Sequence, residues 1–360
     1  MPKEAYNPEK PFSEQIRKII ESTHPKDGII VVTPHGKRYR IDKDAAYWSQ
    51  YSEMRATDGI GTKAKLHWEN DSLPAAAQDA LAMVIDDFAE FGYQLYDVQA
   101  HILMQEEKEP TIFQLVQSMS DLCKEYVWDA EPGIKRPIIY SGGETAIINT
   151  IQGFEMGICG IGKVRKGEAL SPSAKEGDEI LGLGSSGPHS NGYTFFRKEL
   201  FEKRQLTLDS RPYGRRLGDE LTVPTRIYAP ALRELVEAYP KDVHGMVHIT
   251  GGGLTKAKEL IPEEKNVNIE ISPADSSLEP QELFWYVHDE LLMKSYDMVR
   301  KFNNGIGYMV AVSPDVVGDS LKILKRYCPA DIIGFVTPGV GKAIIESPYD
   351  DPAVKFEFQK

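Results

Sequence analysis

Cysteine is scarce in this chain: Cys123, Cys159 and Cys328 are its only three. Thiols so few and so scattered give neither a disulfide framework nor a zinc site. Long hydrophobic runs are missing too. Apolar runs such as Ile29-Ile30-Val31-Val32 fall far short of the roughly 20 residues a membrane helix needs, so no membrane association is expected. Positive charge is in deficit, with 42 Lys and Arg against 54 Asp and Glu, a net charge of −12. A nucleic-acid backbone is held mainly by surplus Lys and Arg, so no nucleic-acid partner is expected. An acidic protein can still hold a small phosphate through Mg²⁺, although excess acid is equally what a well-solvated surface carries. The opening residues Met1-Pro2-Lys3-Glu4-Ala5-Tyr6 lack the apolar centre of a secretory signal, so the expected location is cytoplasmic.

What is present suits a globular protein of two ordinary domains: 360 residues, 41% hydrophobic and 27% charged, enough for a sizeable core. Helical spacing covers about 13–22 and, with an apolar face of Ala, Leu, Met and Val, 73–92. Further helices are expected near 111–127, 194–203, 225–238, 255–260 and 314–326. Strands are expected near 28–33 and 38–41, joined by Pro34-His35-Gly36-Lys37, and near 98–104, 137–140, 153–164, 179–183, 243–249 and 306–312. This alternation predicts an α/β or α+β architecture. The Ser-, Pro- and Gly-containing stretch 166–177 is the expected domain boundary, giving domains 1–168 and 169–360.

Four polar, glycine-bearing segments carry the candidate chemistry. In Asp58-Gly59-Ile60-Gly61-Thr62-Lys63, the glycines permit close backbone approach to a phosphate, Asp58 can hold Mg²⁺ and Lys63 can reach a phosphate oxygen; Asp-Gly is also a common hairpin signal. Gly142-Gly143-Glu144-Thr145 reads as a second loop after a strand, and Gly251-Gly252-Gly253, entered from His248-Ile249-Thr250, as a third, each suited to converging backbone N–H groups on an anion or to a tight structural turn. Asp79 and Asp86 lie two turns apart on one face of the 73–92 helix, with Asp87 beside them. Acids in so apolar a segment call for a partner such as a metal, unless they face water. Gly187-Pro188-His189-Ser190-Asn191-Gly192 is denser in polar groups than a turn requires, and His189 and Asn191 can donate to a developing oxyanion or phosphate. No Ser-His-Asp triad is recognisable, so covalent catalysis is not expected. Arg226 can clamp a phosphate or simply be a surface charge, and Asn303 and Asn304 read first as turn residues.

Taken in order, Gly184-Ser185-Ser186-Gly187-Pro188-His189-Ser190-Asn191-Gly192-Tyr193 with Arg197-Lys198, Asp58 to Lys63, Gly142 to Ala146, Pro224-Thr225-Arg226-Ile227-Tyr228, His248 to Gly253 and Phe302-Asn303-Asn304-Gly305-Ile306-Gly307 resemble the motifs of the aminoimidazole ribonucleotide synthetase family. That family is also called phosphoribosylformylglycinamidine cyclo-ligase. The resemblance spans about residues 57–335. It implies two α/β domains, the first with a sheet that pairs with its twin in a homodimer, and an ATP- and Mg²⁺-dependent ligase of purine biosynthesis. In that reaction ATP phosphorylates the formamide oxygen of formylglycinamidine ribonucleotide, and the amidine nitrogen then closes the imidazole ring.

By the same resemblance, His189, Asn191 and Lys63 are the expected catalytic residues and Asp58, Asp79 and Asp87 the metal ligands. Asp58, Gly59, Gly61, Thr62, Asp86, Gly142, Gly143, Glu144, Thr145, Ser190, Gly251, Gly252 and Gly253 are the expected nucleotide contacts. The chain departs from the family pattern in three places. It has Gly28 to Lys37 where the family has a glycine-rich segment, Ile147-Ile148-Asn149 where the family has an acidic, proline-containing stretch, and Ala100 at about the place of a family aspartate. Two other readings remain: a related phosphoryl-transfer enzyme with another acceptor, such as a thiamine-phosphate kinase or hydrogenase-maturation protein, and a non-catalytic nucleotide-binding paralogue. Selenophosphate synthesis is disfavoured by the lack of a cysteine near the N-terminus.

Overall fold

The computed structural model describes residues 13–24, 29–33, 36–40, 45–131 and 133–360. The chain divides into two compact units, Met1–Phe88 with Tyr93–Ala169, and Ala89–Gly92 with Leu170–Lys360.

The N-terminal unit begins with α1 (Ser13–Glu21), the antiparallel pair β1 (Ile29–Thr33) and β2 (Gly36–Arg40), and the short α2 (Ala45–Trp48). Pro34 and His35, expected to join that pair, lie outside the described residues. β3 (Tyr51–Gly59), α3 (Lys63–Glu69), α4 (Leu73–Glu90), β4 (Gln94–Met104) and α5 (Glu109–Glu125) follow. The ribbon of β5 (Val127–Glu131) and β6 (Ile134–Pro137) leads to β7 (Ile139–Ile147) and β8 (Phe154–Arg165). β3, β8, β4 and β7 form one sheet in that order, antiparallel except for the parallel β4–β7 pair.

Period-two patterning decides which face of this sheet is covered. In β4, Val98, Ala100, Ile102 and Met104 are buried and alternate with exposed Gln99 and His101. α4 supplies Ala77, Leu81, Val84 and Phe88, at helical spacing and all buried. The other end of β3 is anchored differently. The Lys163 ammonium of β8 lies 4.1 Å from the ring centroid of Tyr51 and 4.8–4.9 Å from those of Tyr47, Trp48 and Trp128, a cation enclosed by π faces.

One expectation is corrected here. Gly142-Gly143-Glu144-Thr145 is not a loop but the middle of β7, paired in parallel with Gln99-Ala100-His101-Ile102 of β4. A β-carbon on Gly143 would lie 1.8 Å from the Ala100 carbonyl oxygen, so the glycine serves close strand approach rather than a turn.

The C-terminal unit carries β9 (Glu179–Gly184), α6 (Tyr193–Phe196), which continues as a π-helix over Arg197–Lys203, α7 (Leu217–Leu221), α8 (Ala229–Ala238) and β10 (Val243–His248). A 3-10 turn over Gly253–Leu260 follows, then β11 (Val267–Ile271), α9 (Glu282–Asp289), α10 (Ser295–Lys301), β12 (Ile306–Val312) and α11 (Val317–Leu324). β13 (Ala330–Pro338), β14 (Lys342–Glu346) and β15 (Lys355–Gln359) close the chain. The strands form one sheet in the order β10-β12-β9-β13-β11-β14-β15, with β11–β14 its parallel pair. Both faces are covered, so the central strands read as continuous apolar runs. Ile180, Met309 and Ala311 join one core with Leu254, Ala257 and Leu260, while Leu181, Leu183, Tyr308, Val310 and Val312 join another with Leu232, Leu235 and Leu324.

Gly143→Ala is expected to destabilise the protein by about 3 kcal/mol, from overpacking combined with the left-handed φ of +150°. The check is the midpoint of chemical denaturation; an unshifted midpoint would contradict this reading of β7.

Candidate active site

In the N-terminal unit, β3 ends at Asp58-Gly59 and hands the chain to α3 through Ile60-Gly61-Thr62. Gly61 adopts φ +55°, the conformation its lack of a β-carbon allows. The amides of this turn already have acceptors. Gly59 N–H donates to Asp58 Oδ1 at 2.7 Å, Ile60 N–H to the Met156 carbonyl at 3.1 Å and Gly61 N–H to Glu155 Oε1 at 2.9 Å. The anion held by the turn is therefore the protein's own Glu155. Burial pushes the Glu155 carboxyl above its ordinary range, against the backbone donors of Gly61, Met156 and Ile60 and with the nearby Asp58 charge adding to the rise. In the sequence Glu155 looks like a surface acid, since only the β3–β8 register brings it to the turn.

Lys63 and Asp79 are placed differently from expectation. The Lys63 ammonium donates to Asp79 Oδ1 at 2.8 Å, His67 Nε2 lies 2.7 Å from Asp79 Oδ2, and Ser72 Oγ is 2.9 Å from His67 Nδ1. Lys63, His67 and Asp79 are all 0% exposed. Both oxygens of Asp79 are thus occupied from within the unit, which gives Lys63 and Asp79 to each other rather than to a nucleotide phosphate or a metal ion. Burial opposes the Asp79 charge, but Lys63 and His67 outweigh it and hold the carboxyl below its ordinary value; burial also lowers the Lys63 and His67 values, against the pull of Asp79. Asp86 is buried on α4, whereas Asp58 is exposed and Asp87 half-buried. Among the described residues no three His, Cys, Asp or Glu side chains group as metal ligands.

In the C-terminal unit the sequence motifs do converge. β9 and β10 end, and β12 begins, at one end of the sheet, where Gly184 pairs with Ile306 and His248 with Tyr308. Ser186 Oγ donates to the Pro224 carbonyl at 2.7 Å, and the Ser190 and Thr225 hydroxyls lie 3.3 Å apart. Asn303 Nδ2 donates to the Gly187 carbonyl at 2.8 Å, and Tyr228 OH to the Gly184 carbonyl at 3.0 Å. Asn191 Oδ1 faces Gly251, 3.9 Å from where a β-carbon there would stand. His189 is buried, with φ +57°, a conformation that costs a non-glycine residue about 1–3 kcal/mol. Its Nε2 accepts from the Ser186 N–H at 3.4 Å. A side chain on Gly307 would put a β-carbon 1.9 Å from Tyr228 OH and 2.5 Å from His189 Cε1, so His189 can occupy this position only because residue 307 is glycine. Gly251 and Gly252 are exposed and Gly252 has φ +103°. His248 stacks on Tyr308, with ring centroids 5.5 Å apart, and His244 is held by Asp178 at 2.8 Å. Asn303 plays a larger part than a turn residue, since its Oδ1 also accepts from Ser185 Oγ and Gly305 N–H. Tyr349 reaches the same loop through a 2.6 Å bond to Asn304 Oδ1.

This architecture is shared with proteins of known structure. Thiamine-monophosphate kinase from Stenotrophomonas maltophilia K279a superposes with a TM-score of 0.62 at 15% identity, covering 94% of this chain and 96% of that one. Hydrogenase maturation protein HypE in complex with ATP gives 0.60 at 15% identity, covering 94% and 89%. Residues 175–346 match the family described as AIR synthase related protein, C-terminal domain. The fold and the convergent C-terminal loops therefore define an AIR-synthase-related protein. Phosphoribosylformylglycinamidine cyclo-ligase of Bacillus cereus strain Q1 is 34% identical over 334 residues, 91% of this chain and 92% of that relative. The chain belongs to the phosphoribosylformylglycinamidine cyclo-ligase family.

Asp79→Asn is expected to cost about 3 kcal/mol or more at neutral pH, because it leaves a buried ammonium without its counter-charge. A carboxyl depressed in the folded state stabilises fully above its unfolded value of 3.8 and loses that contribution as pH falls through the lower folded value. The stability gap between wild type and Asp79→Asn should thus be full above pH about 4 and narrow in stronger acid. Denaturation curves across that window that keep a constant gap would contradict the assignment.

Proposed function

We propose that this protein catalyses the ATP-dependent ring closure of formylglycinamidine ribonucleotide to aminoimidazole ribonucleotide, with release of ADP and phosphate. The observation that carries the reading is the gathering of the His189, Thr225, Gly251 and Asn303 loops around one end of the C-terminal sheet, in a chain collinear with a cyclo-ligase over nine-tenths of its length.

Phosphoryl transfer to an amide oxygen followed by ring closure needs positioning and charge neutralisation, not a protein nucleophile. ATP with Mg²⁺ supplies the phosphoryl group that makes a leaving group of that oxygen. Asp58, exposed at the end of β3, and the half-buried Asp87 of α4 are the carboxylates that would hold the metal ion; Mg²⁺ needs only one or two protein carboxylates beside phosphate oxygens and water. The Asp58–Thr62 turn would hold the nucleotide, with Glu155 yielding the Gly61 amide to a phosphate. His189 and the Asn191 amide orient the reacting amide and donate to its oxygen as negative charge develops there. The dimer expected of the family would form through the N-terminal sheet.

ADP release should require formylglycinamidine ribonucleotide, and His189→Ala should lower kcat by about 100-fold, the scale on which a preorganised donor contributes. A coupled assay for ADP, with thermal melting as the folding control, tests both. ADP release that is indifferent to that substrate, or specific for another acceptor, would overturn the reading.

A further inference from the structure

Arg17 and Arg226 both enclose an Nε–H without a hydrogen-bond acceptor, but Arg17 is paired with Glu21, whereas Arg226 is not paired. It is half-buried, its Nε–H is enclosed, and it makes no hydrogen bond or ion pair with any described residue. The half-buried Arg216 and Arg233 are satisfied by carboxylates, Asp209 and Asp219 for the first and Glu237 for the second, while Arg55, Arg165 and Arg211 are exposed to water. Leaving an enclosed donor of a charged group unpaired is costly, and in a chain with net charge −12 a carboxylate partner would be easily supplied. Arg226 stands next to Thr225, whose hydroxyl contacts Ser190, so its loop is tied to the loop of His189 and Asn191. The Asn191 Nδ2 group is likewise enclosed without a partner. Two donors without acceptors, on two loops joined to each other, are the complement of an electron-rich ligand. A guanidinium fork matches the paired oxygens of a phosphate in particular.

We infer that Arg226 is a specificity residue that binds a phosphate monoester, the 5′-phosphate of the ribonucleotide substrate, in the C-terminal unit. This assignment to the substrate rests on the proposed function, which places the reacting amide at His189 and Asn191 in the same group of loops. The shared chemistry could also serve a phosphate of ATP, and the test separates the two.

Calorimetric titrations of ribose 5-phosphate and of MgADP into wild type, Arg226→Gln and Arg226→Lys decide the matter. Ribose 5-phosphate should bind wild type, lose tenfold or more in affinity in Arg226→Gln and lose less in Arg226→Lys, which keeps the charge without the fork. MgADP affinity should change by less than twofold in both. Thermal melting shows whether Arg226→Gln is folded; if it is not, the Arg226→Lys titration carries the comparison. An unchanged ribose 5-phosphate affinity, no binding of it to wild type, or a loss confined to MgADP would overturn the inference. Binding does not depend on ring closure. A protein that captures ribose 5-phosphate through Arg226 but does not convert formylglycinamidine ribonucleotide would therefore sink the proposed reaction and leave this site standing.

Discussion

A single buried carboxylate organises the N-terminal unit. Asp79 sits inside an apolar helix face, where an unpaired charge would be untenable, and it is made tolerable by an ammonium on one oxygen and an imidazole on the other. Lys63 opens α3 and His67 lies one helical turn on, in its last turn, so the two contacts fix both the position and the rotation of that helix. The turn that delivers the chain from β3 to α3 is fixed with it. Replacing such a cluster by apolar residues of similar volume is often neutral or stabilising, so its contribution is better understood as geometry: it sets where Asp58 and Gly61 stand. At the opposite end of the same strand, Lys163 holds Tyr51 within a cage of rings. β3 is thereby anchored at both ends by a buried lysine, each neutralised by different chemistry.

The C-terminal unit treats its polar groups in the opposite way. There the backbone carbonyls of the gathered loops are satisfied by Ser186, Asn303 and Tyr228, while donors of Asn191 and Arg226 are enclosed and left without protein acceptors. Buried polar groups are ordinarily paired, and enclosed donors left unpaired beside satisfied carbonyls mark where something outside the protein belongs. The same criterion reads Lys63 as part of the fold and Arg226 as part of the site, although in a sequence the lysine has the more suggestive neighbours.

That inversion explains what was legible beforehand and what was not. The long apolar period of α4, the passage from β9 into the His189 segment and the AIR-synthase-related architecture are visible in the sequence because they are set by local spacing and by motifs that run in order. The role of Gly142-Gly143 was not visible. Two glycines are a local turn signal, and what overrides it is β4, some forty residues earlier, whose Ala100 carbonyl needs the space. The pairing of Lys63 with Asp79 was not visible for a related reason, since that partner lies on another helix and becomes available only when α3 packs against α4. Glu155 and Asn303 were undervalued because a surface acid and a turn asparagine look alike until strand register or loop convergence brings them to their partners. Strands β11, β14 and β15 were not legible because each spans only five residues and carries charge among its apolar positions, and the apolar run of β13 is interrupted by Gly334.

The strain at His189 joins these threads. A buried histidine with positive φ persists only where its surroundings leave it no better place, and here those surroundings are the missing side chain of Gly307, the ring of Tyr228 and the asparagine that grips Gly187. These contacts come from two stretches of the chain outside its own loop, 303–307 and Tyr228, so the imidazole is held by tertiary structure. A donor fixed in this way undergoes little reorganisation when charge develops on a substrate oxygen, which is the circumstance in which a hydrogen bond contributes most to rate. The strain is borne in folding, before any substrate arrives. For a reaction without a protein nucleophile, that prior positioning is the principal thing the C-terminal unit has to offer.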